Sequence, residues 1–175
     1  MGSHTITDPP RSVMDSLRRL VHGLRVFDRA AERAAGLSGA QLFVLSKLAD
    51  GGPASVNALA ERTCTHQSSV SVVAAKLVGR GLARRRASAA DGRRVVLAIT
   101  QAGLRVLRRS PMAAQDRLIG AIGRLSPHGR ADLARLLEEL VAAAGLGETR
   151  PALFFEDEPT ALSLVPNKRD ASHGE

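Results

Sequence analysis

Apolar residues recur at helical spacing near the start of the chain. They follow one another at intervals of four, three, four and three residues: Val13, Leu17, Leu20, Leu24 and Phe27. This periodicity places them on one face of an amphipathic helix over residues 11–35, which Gly36 is expected to end. The stripe that they form needs another apolar surface to cover it.

Three shorter helices are predicted by their capping residues. Ser38 begins a second helix, which the Gly- and Pro-containing run at residues 50–53 ends. Ser55 begins a third helix over residues 56–63. Thr65 or His66 begins a fourth helix, which runs to about residue 80 before Gly81. Its inward face is predicted to consist of Val70, Val73, Ala74, Leu77 and Val78.

A β-hairpin and two more helices follow. Residues 84–86 and 94–99 are predicted strands, joined by a connection that contains Asp91 and Gly92. Thr100 is expected to begin a long fifth helix that Pro111 kinks, and Ser126 a sixth helix with Pro127 at its first position. The sixth helix carries a second apolar stripe: Leu133, Leu136, Leu137, Leu140 and Val141.

The charge of the chain favours a polyanionic partner. The formal net charge is +8, and the acidic segment 147–175 contributes three basic and six acidic residues, so the rest carries +11. A generic basic surface is the alternative. Cys64 is the only cysteine, which agrees with a reducing cytoplasm, and no apolar run approaches the ~18 residues of a membrane span.

The outward face of the fourth helix is composed of short side chains. Ser68, Val72, Ala75 and Lys76 fall on it, and such a face lets a helix approach base edges closely in the major groove. Gln67, Ser68 and Ser69 lie in the first turn, where backbone N–H groups attract phosphate. The alternative is an ordinary helix with ordinary caps.

Five arginines lie on the hairpin, where they repel one another unless an anion neutralises them. They are Arg84, Arg85, Arg86, Arg93 and Arg94. We expect Asp91 to hold the Arg93 guanidinium by a charge-assisted hydrogen bond. The alternative is a solvated edge whose charges protect it from aggregation.

Ordered motifs over residues 11–145 resemble those of the MarR family of transcriptional regulators. They are the segments at 38–42 (SGAQL), 59–62 (LAER), 67–71 (QSSVS), 77–82 (LVGRGL), 91–94 (DGRR), 97–103 (LAITQAG) and 125–126 (LS). The resemblance implies a homodimeric, mainly α-helical winged helix-turn-helix protein with a small β-hairpin wing. It also implies double-stranded DNA as partner and, in many members, a small, often aromatic ligand that weakens DNA binding. Val72, Ala74 and Ala75 depart from the charged residues common in the family.

The resemblance implies three regions and a set of DNA-binding residues. Residues 11–36 and 101–146 would form a helical dimerisation region, 37–100 the winged helix-turn-helix, and 147–175 a tail. The Arg93 side chain would enter the minor groove. The predicted DNA-binding set is Ser55, Gln67, Ser68, Ser69, Ser71, Val72, Lys76, Arg84, Arg85, Arg86, Asp91, Arg93 and Arg94.

Other functions receive less support from the sequence. Cys64 and His66 supply at most two metal ligands, fewer than zinc needs, so we expect Cys64 to be structural and no cofactor to be bound. No catalytic set is evident, and we expect a ligand-responsive repressor rather than an enzyme. The alternatives are a metal or small-molecule sensor with secondary DNA binding, and a non-specific architectural DNA-binding protein. In the tail, we hypothesise that residues 153–155 dock on the helical body, with a disordered linker as the alternative.

Overall fold

The computed structural model describes residues 8–88, 91–147 and 153–154. Nine elements follow one another in these ranges: α1 (Pro9–Ala35), α2 (Gly39–Gly51), α3 (Val56–Arg62), α4 (Gln67–Gly79), β1 (Ala83–Ala87), β2 (Val95–Ile99), α5 (Gln101–Arg109), α6 (Ala114–Gly123) and α7 (Pro127–Ala143). The mainly helical fold with one hairpin confirms the predicted fold class. Within these ranges no helix combines the length and the hydropathy that crossing a bilayer requires.

The predicted helix caps are present. The Ser38, Ser55, Thr100 and Ser126 hydroxyl oxygens each accept a hydrogen bond from the backbone N–H three residues later. Gly36 ends α1 in the left-handed conformation, with φ of 61°, which a glycine adopts without steric cost. His66 is the residue before α4, and its side chain forms no cap hydrogen bond.

The region after β2 differs from the prediction of one long, kinked fifth helix. Helix α5 ends at Arg109, and Ser110 is extended, with ψ of 148°. The residue before a proline is disfavoured in the α region, so Pro111 breaks the helix here. A new helix, α6, begins at Ala114, and the last helix is therefore the seventh.

The core lies in the helix-turn-helix part of the chain. Its largest fully buried side chains come from the α1–α2 turn, α2, α3 and α4: Leu37, Leu42, Phe43, Val44, Leu45, Leu48, Leu59, Val70, Val73 and Leu77. The hairpin joins this core at its base through Leu97, which exchanges two backbone hydrogen bonds with Ala54. This bridge fixes the wing beside the turn that precedes α3.

Helix α7 differs from the core helices, because none of its residues is buried in the single chain. Leu136, Leu137, Leu140 and Val141 are all exposed. The α1 stripe is also only partly covered, since Val13 and Leu20 are about half exposed, with exposed fractions of 49 % and 51 %. The two predicted apolar stripes therefore remain open to a further partner.

Candidate nucleic-acid interface and adjoining cavity

Helix α4 has the two faces that its sequence predicted. Val70, Val73, Ala74 and Leu77 are buried, and Val78 is half-buried. The opposite side exposes Ser68, Ser71, Val72 and Ala75, and Gln67 is exposed at the first position; Ser69 and Lys76 are half-buried. The exposed face thus lacks long side chains in its middle, which leaves the helix surface open to close approach.

A residue at the end of α4 holds this helix on the rest of the domain, and contacts within α3 order the turn before it. Arg80 follows the helix, and its Nη1 donates to the Gly36 carbonyl at 2.7 Å and to Gln41 Oε1 at 3.0 Å. Before the helix, the buried Thr63 hydroxyl donates to the Leu59 carbonyl at 2.8 Å. The half-buried Ser55 caps α3, since its Oγ accepts from the Ala58 N–H. The sequence predicted a DNA contact for Ser55 but gave no role to Arg80.

The wing presents its arginines to solvent. Arg84, Arg85 and Arg86 are all exposed on β1, which pairs with β2 in the antiparallel register Ala83↔Ile99 to Ala87↔Val95. Successive side chains of a strand point to opposite faces, so Arg85 lies on the other face from its two neighbours. Both faces of the hairpin therefore carry positive charge.

The Asp91 side chain contacts two residues of the turn, and one contact corrects our prediction. Asp91 Oδ1 accepts from the Arg93 backbone N–H at 3.1 Å, and Oδ2 pairs with Arg94 Nε at 3.2 Å. The guanidinium that Asp91 holds therefore belongs to Arg94, not to Arg93. The expected pairing was wrong because the turn directs the Arg93 backbone, rather than its side chain, at the carboxylate. Arg93 itself is exposed.

A polar cluster joins α2 to α6. Lys47 Nζ forms an ion pair with Asp116 Oδ1, and the Ser46 hydroxyl lies 2.9 Å from Asp116 Oδ2. The two charged side chains are largely buried, with exposed fractions of 20 % and 18 %. Lys47 Nζ also lies 5.1 Å from the centre of the Phe43 ring. The cluster ties the helix-turn-helix to the helix that leads into α7, and the sequence gave no sign of it.

A cavity of about 410 Å³ opens beside this cluster, between α2, the α3–α4 turn and α6. Its lining residues are Phe43, Thr63, Cys64, Thr65, Gln115, Leu118, Ile119, Ile122, Leu153 and Phe154. Leu153 is 5 % exposed, and the Phe154 carbonyl accepts from Gln115 Nε2 at 3.4 Å. The hypothesis that the apolar part of the tail docks on the body is thus supported for residues 153–154. Phe155 and the acidic residues after it lie outside the described residues.

Cys64, which we expected to be structural, lies at the surface. It is exposed, lies in the left-handed conformation with φ of 51°, and lines the cavity. Its place in the tight turn between α3 and α4 turns its side chain away from the core. In the described ranges, no group of three or more His, Cys, Asp and Glu side chains is arranged to hold a metal ion.

This arrangement of helices α2 to α4, hairpin and flanking helices defines a winged helix-turn-helix protein. Comparison with known proteins agrees, because the family model described as "MarR family" matches residues 35–94. The structure is similar to that of Sco3205, a MarR family transcriptional regulator from Streptomyces coelicolor solved in complex with DNA. The two share 27 % identity with a TM-score of 0.50, covering 79 % of this chain and 86 % of Sco3205. Residues 35–94 thus match the family that the sequence motifs predicted.

Two further structures are similar. BpsR from Bordetella bronchiseptica, whose DNA binding is regulated by 6-hydroxynicotinic acid, has 25 % identity and a TM-score of 0.52, covering 79 % of this chain and 97 % of BpsR. BldR from Sulfolobus solfataricus has 21 % identity and a TM-score of 0.50, over 79 % and 99 % of the two chains, and so supports the fold alone. Among curated proteins, none matches the sequence.

Proposed function

We propose that this protein is a homodimeric, sequence-specific DNA-binding repressor of the cytoplasm, without enzymatic activity, whose DNA affinity responds to a small ligand. The observation that carries the proposal is the pairing of α4 with the wing. A helix with an exposed face of short side chains stands beside a hairpin with five exposed arginines. The two fit a major groove and the neighbouring minor groove of one duplex.

Within this function, α4 supplies the sequence readout. Ser68 and Ser71 can donate to or accept from base edges, and the exposed Val72 can contact a thymine methyl group. Gln67 and Ser69, in the first turn, would bind phosphate together with the backbone N–H groups. Ser55 and Lys76, both half-buried, would contribute at the edges of the interface.

The wing supplies most of the electrostatic affinity. If Arg84 and Arg86, which share one face of β1, each neutralise one phosphate in both protomers, about four counterions are released, and log Kobs should fall against log[salt] with a slope of about −4. Arg93, which Asp91 holds only through its backbone, keeps its guanidinium available for the minor groove.

The surfaces that the single chain leaves uncovered support the proposed dimer. Helix α7 has 17 residues and buries none of them, whereas helices in proteins are stabilised mostly by the packing of an amphipathic face. Its leucines and the α1 stripe would pack across a two-fold axis, which also sets the spacing between the two copies of α4.

The test is DNA binding by fluorescence anisotropy, with the intergenic DNA beside the gene and a scrambled duplex of equal length. Arg93→Ala should weaken specific binding by about 1–3 kcal/mol. Arg18→Ala, which removes the same charge from an exposed position on α1, is the matched control and should have little effect. Equal loss in both variants, or equal affinity for both duplexes, would indicate a non-specific architectural DNA-binding protein instead.

A further inference from the structure

Two residues of the tail dock beside the start of α4. Leu153 is 5 % exposed and packs with the buried side chains of the core. The Phe154 carbonyl accepts a hydrogen bond from Gln115 Nε2. Leu153 and Phe154 line one cavity together with Thr65, which lies two residues before the first residue of α4. The two residues therefore anchor the tail close to the surface to which we assign phosphate contacts.

The residues that follow this anchor in the sequence are acidic. Glu156, Asp157 and Glu158 come two to four residues after Phe154, and they are half of the six acidic residues in segment 147–175. An extended chain spans at most about 3.6 Å per residue, so these carboxylates lie within about 20 Å of the Phe154 backbone, side chain included. The anchor thus keeps three negative charges near the start of α4.

The surface beside the anchor attracts negative charge. Gln67 and Ser68 are exposed in the first turn of α4, where the backbone N–H groups carry partial positive charge. No acidic side chain in this turn offsets that charge. The formal net charge is +8 for the whole chain and +11 without segment 147–175. Carboxylates tethered here therefore meet the same groups that a DNA phosphate would meet.

We propose that the acidic run Glu156–Glu158 is a built-in competitor of DNA, held at the start of α4 by the anchor Leu153–Phe154. This inference rests on the proposed function, because it takes α4 as a phosphate-binding element. A tethered group competes at an effective concentration of about 1 mM, so a run with a dissociation constant of about 0.1–1 mM would weaken DNA binding by about 2- to 10-fold. Salt screens the attraction of the run, so the competition is strongest at low ionic strength.

The first test compares two double variants that raise the net charge equally. Asp157→Asn/Glu158→Gln removes two charges beside the anchor, whereas Asp170→Asn/Glu175→Gln removes two charges farther along the tail. In fluorescence anisotropy at low salt, the first variant should bind a random duplex about 2- to 10-fold more tightly than the second. The difference should shrink at high salt. Equal affinities of the two variants at low salt would overturn the proposal.

The second test determines whether the anchor is needed. In a Leu153→Ala background, Asp157→Asn/Glu158→Gln should change DNA affinity much less than it does in the unmodified chain, because contacts that act together are not additive. Phe154→Ala, which alters a side chain that is 51 % exposed, serves the same purpose if Leu153→Ala does not fold. An equal gain with and without the anchor would mean that net charge alone acts, and the proposal would be wrong.

A third measurement needs no DNA and separates this inference from the proposed function. In amide NMR spectra, Asp157→Asn/Glu158→Gln should shift the backbone signals of Gln67 and Ser68, and the control double variant should leave them in place. Unchanged signals would refute the inference even in a protein that binds its intergenic DNA specifically. Shifted signals in a protein with equal affinity for intergenic and scrambled duplexes would refute the proposed function alone.

Discussion

Gly103 lies in close contact with the base of the wing, and replacing it with alanine should destabilise the fold. A Cβ atom at this position would lie 2.3 Å from the Leu82 carbonyl oxygen and 2.8 Å from Ile99 Cγ1. Both distances are well inside van der Waals contact, so the backbone of α5 would have to move away from the hairpin. The Leu82 oxygen also accepts from the Thr100 N–H at 3.0 Å and from its hydroxyl at 3.1 Å.

The expected change in the free energy of unfolding of Gly103→Ala has three contributions. Overpacking by one methyl group costs about 1–3 kcal/mol. Weakening one of the Thr100 hydrogen bonds costs about 1 kcal/mol more. The higher helix propensity of alanine returns about 1 kcal/mol. The free energy of unfolding should therefore fall by about 1–3 kcal/mol, and a loss of 2 kcal/mol lowers Tm by about 4–8 °C in a chain of this size.

The assay is urea denaturation followed by circular dichroism, at one protomer concentration for all variants because dimerisation contributes to the apparent stability. Gly79→Ala is the matched control, since a Cβ there meets no atom within 4 Å. It should leave stability unchanged or raise it slightly. If Gly103→Ala is as stable as Gly79→Ala, the contact between α5 and the wing base does not constrain the fold.

Three further predictions concern the wing, the dimer and the link between α2 and α6. Asp91→Ala should raise affinity for random DNA and reduce specificity in a competition assay, because it releases Arg94 and loosens the turn; unchanged specificity would contradict this. Leu136→Asp should yield monomers or insoluble protein, and a folded dimer by light scattering would argue against the proposed interface. Asp116→Asn should cost about 1–3 kcal/mol of unfolding free energy, because it leaves Lys47 largely buried without its carboxylate partner; a chemical denaturation curve that overlays the unmodified protein would disprove it.

The parts of the fold that the sequence predicted depend on local contacts. A cap joins a hydroxyl to an N–H three residues away, so Ser38, Ser55, Thr100 and Ser126 can be interpreted one at a time. The hairpin likewise follows from a turn between two short strands. Where two local preferences compete, the outcome was harder to predict. The helical pattern continues on both sides of Pro111. The proline disfavours the helical conformation of Ser110, however, and the helix ends there instead of kinking.

The candidate sites also contain some features that local sequence predicts and others that it does not. The exposed residues of α4 and the wing arginines are consecutive or periodic in sequence, so their exposure was predictable. The contact of Asp91 with Arg94 was not, because i,i+2 and i,i+3 partners in a turn differ only by backbone geometry. The exposure of Cys64 was not predictable either, because a residue in a left-handed turn points where the turn directs it.

The cavity depends on residues that the sequence separates widely. Phe43, Gln115 and Leu153 meet only because α2, α6 and the segment after α7 converge, and no periodicity marks that convergence. The neighbouring pair of Lys47 and Asp116 spans 69 residues. Gln115 lines the cavity and directly precedes Asp116, whose ion pair fixes α6 to α2. Helix α2 in turn packs against α4. A ligand that favours one position of α6 would therefore bias the position of α4, which is the physical requirement for coupling the cavity to DNA binding.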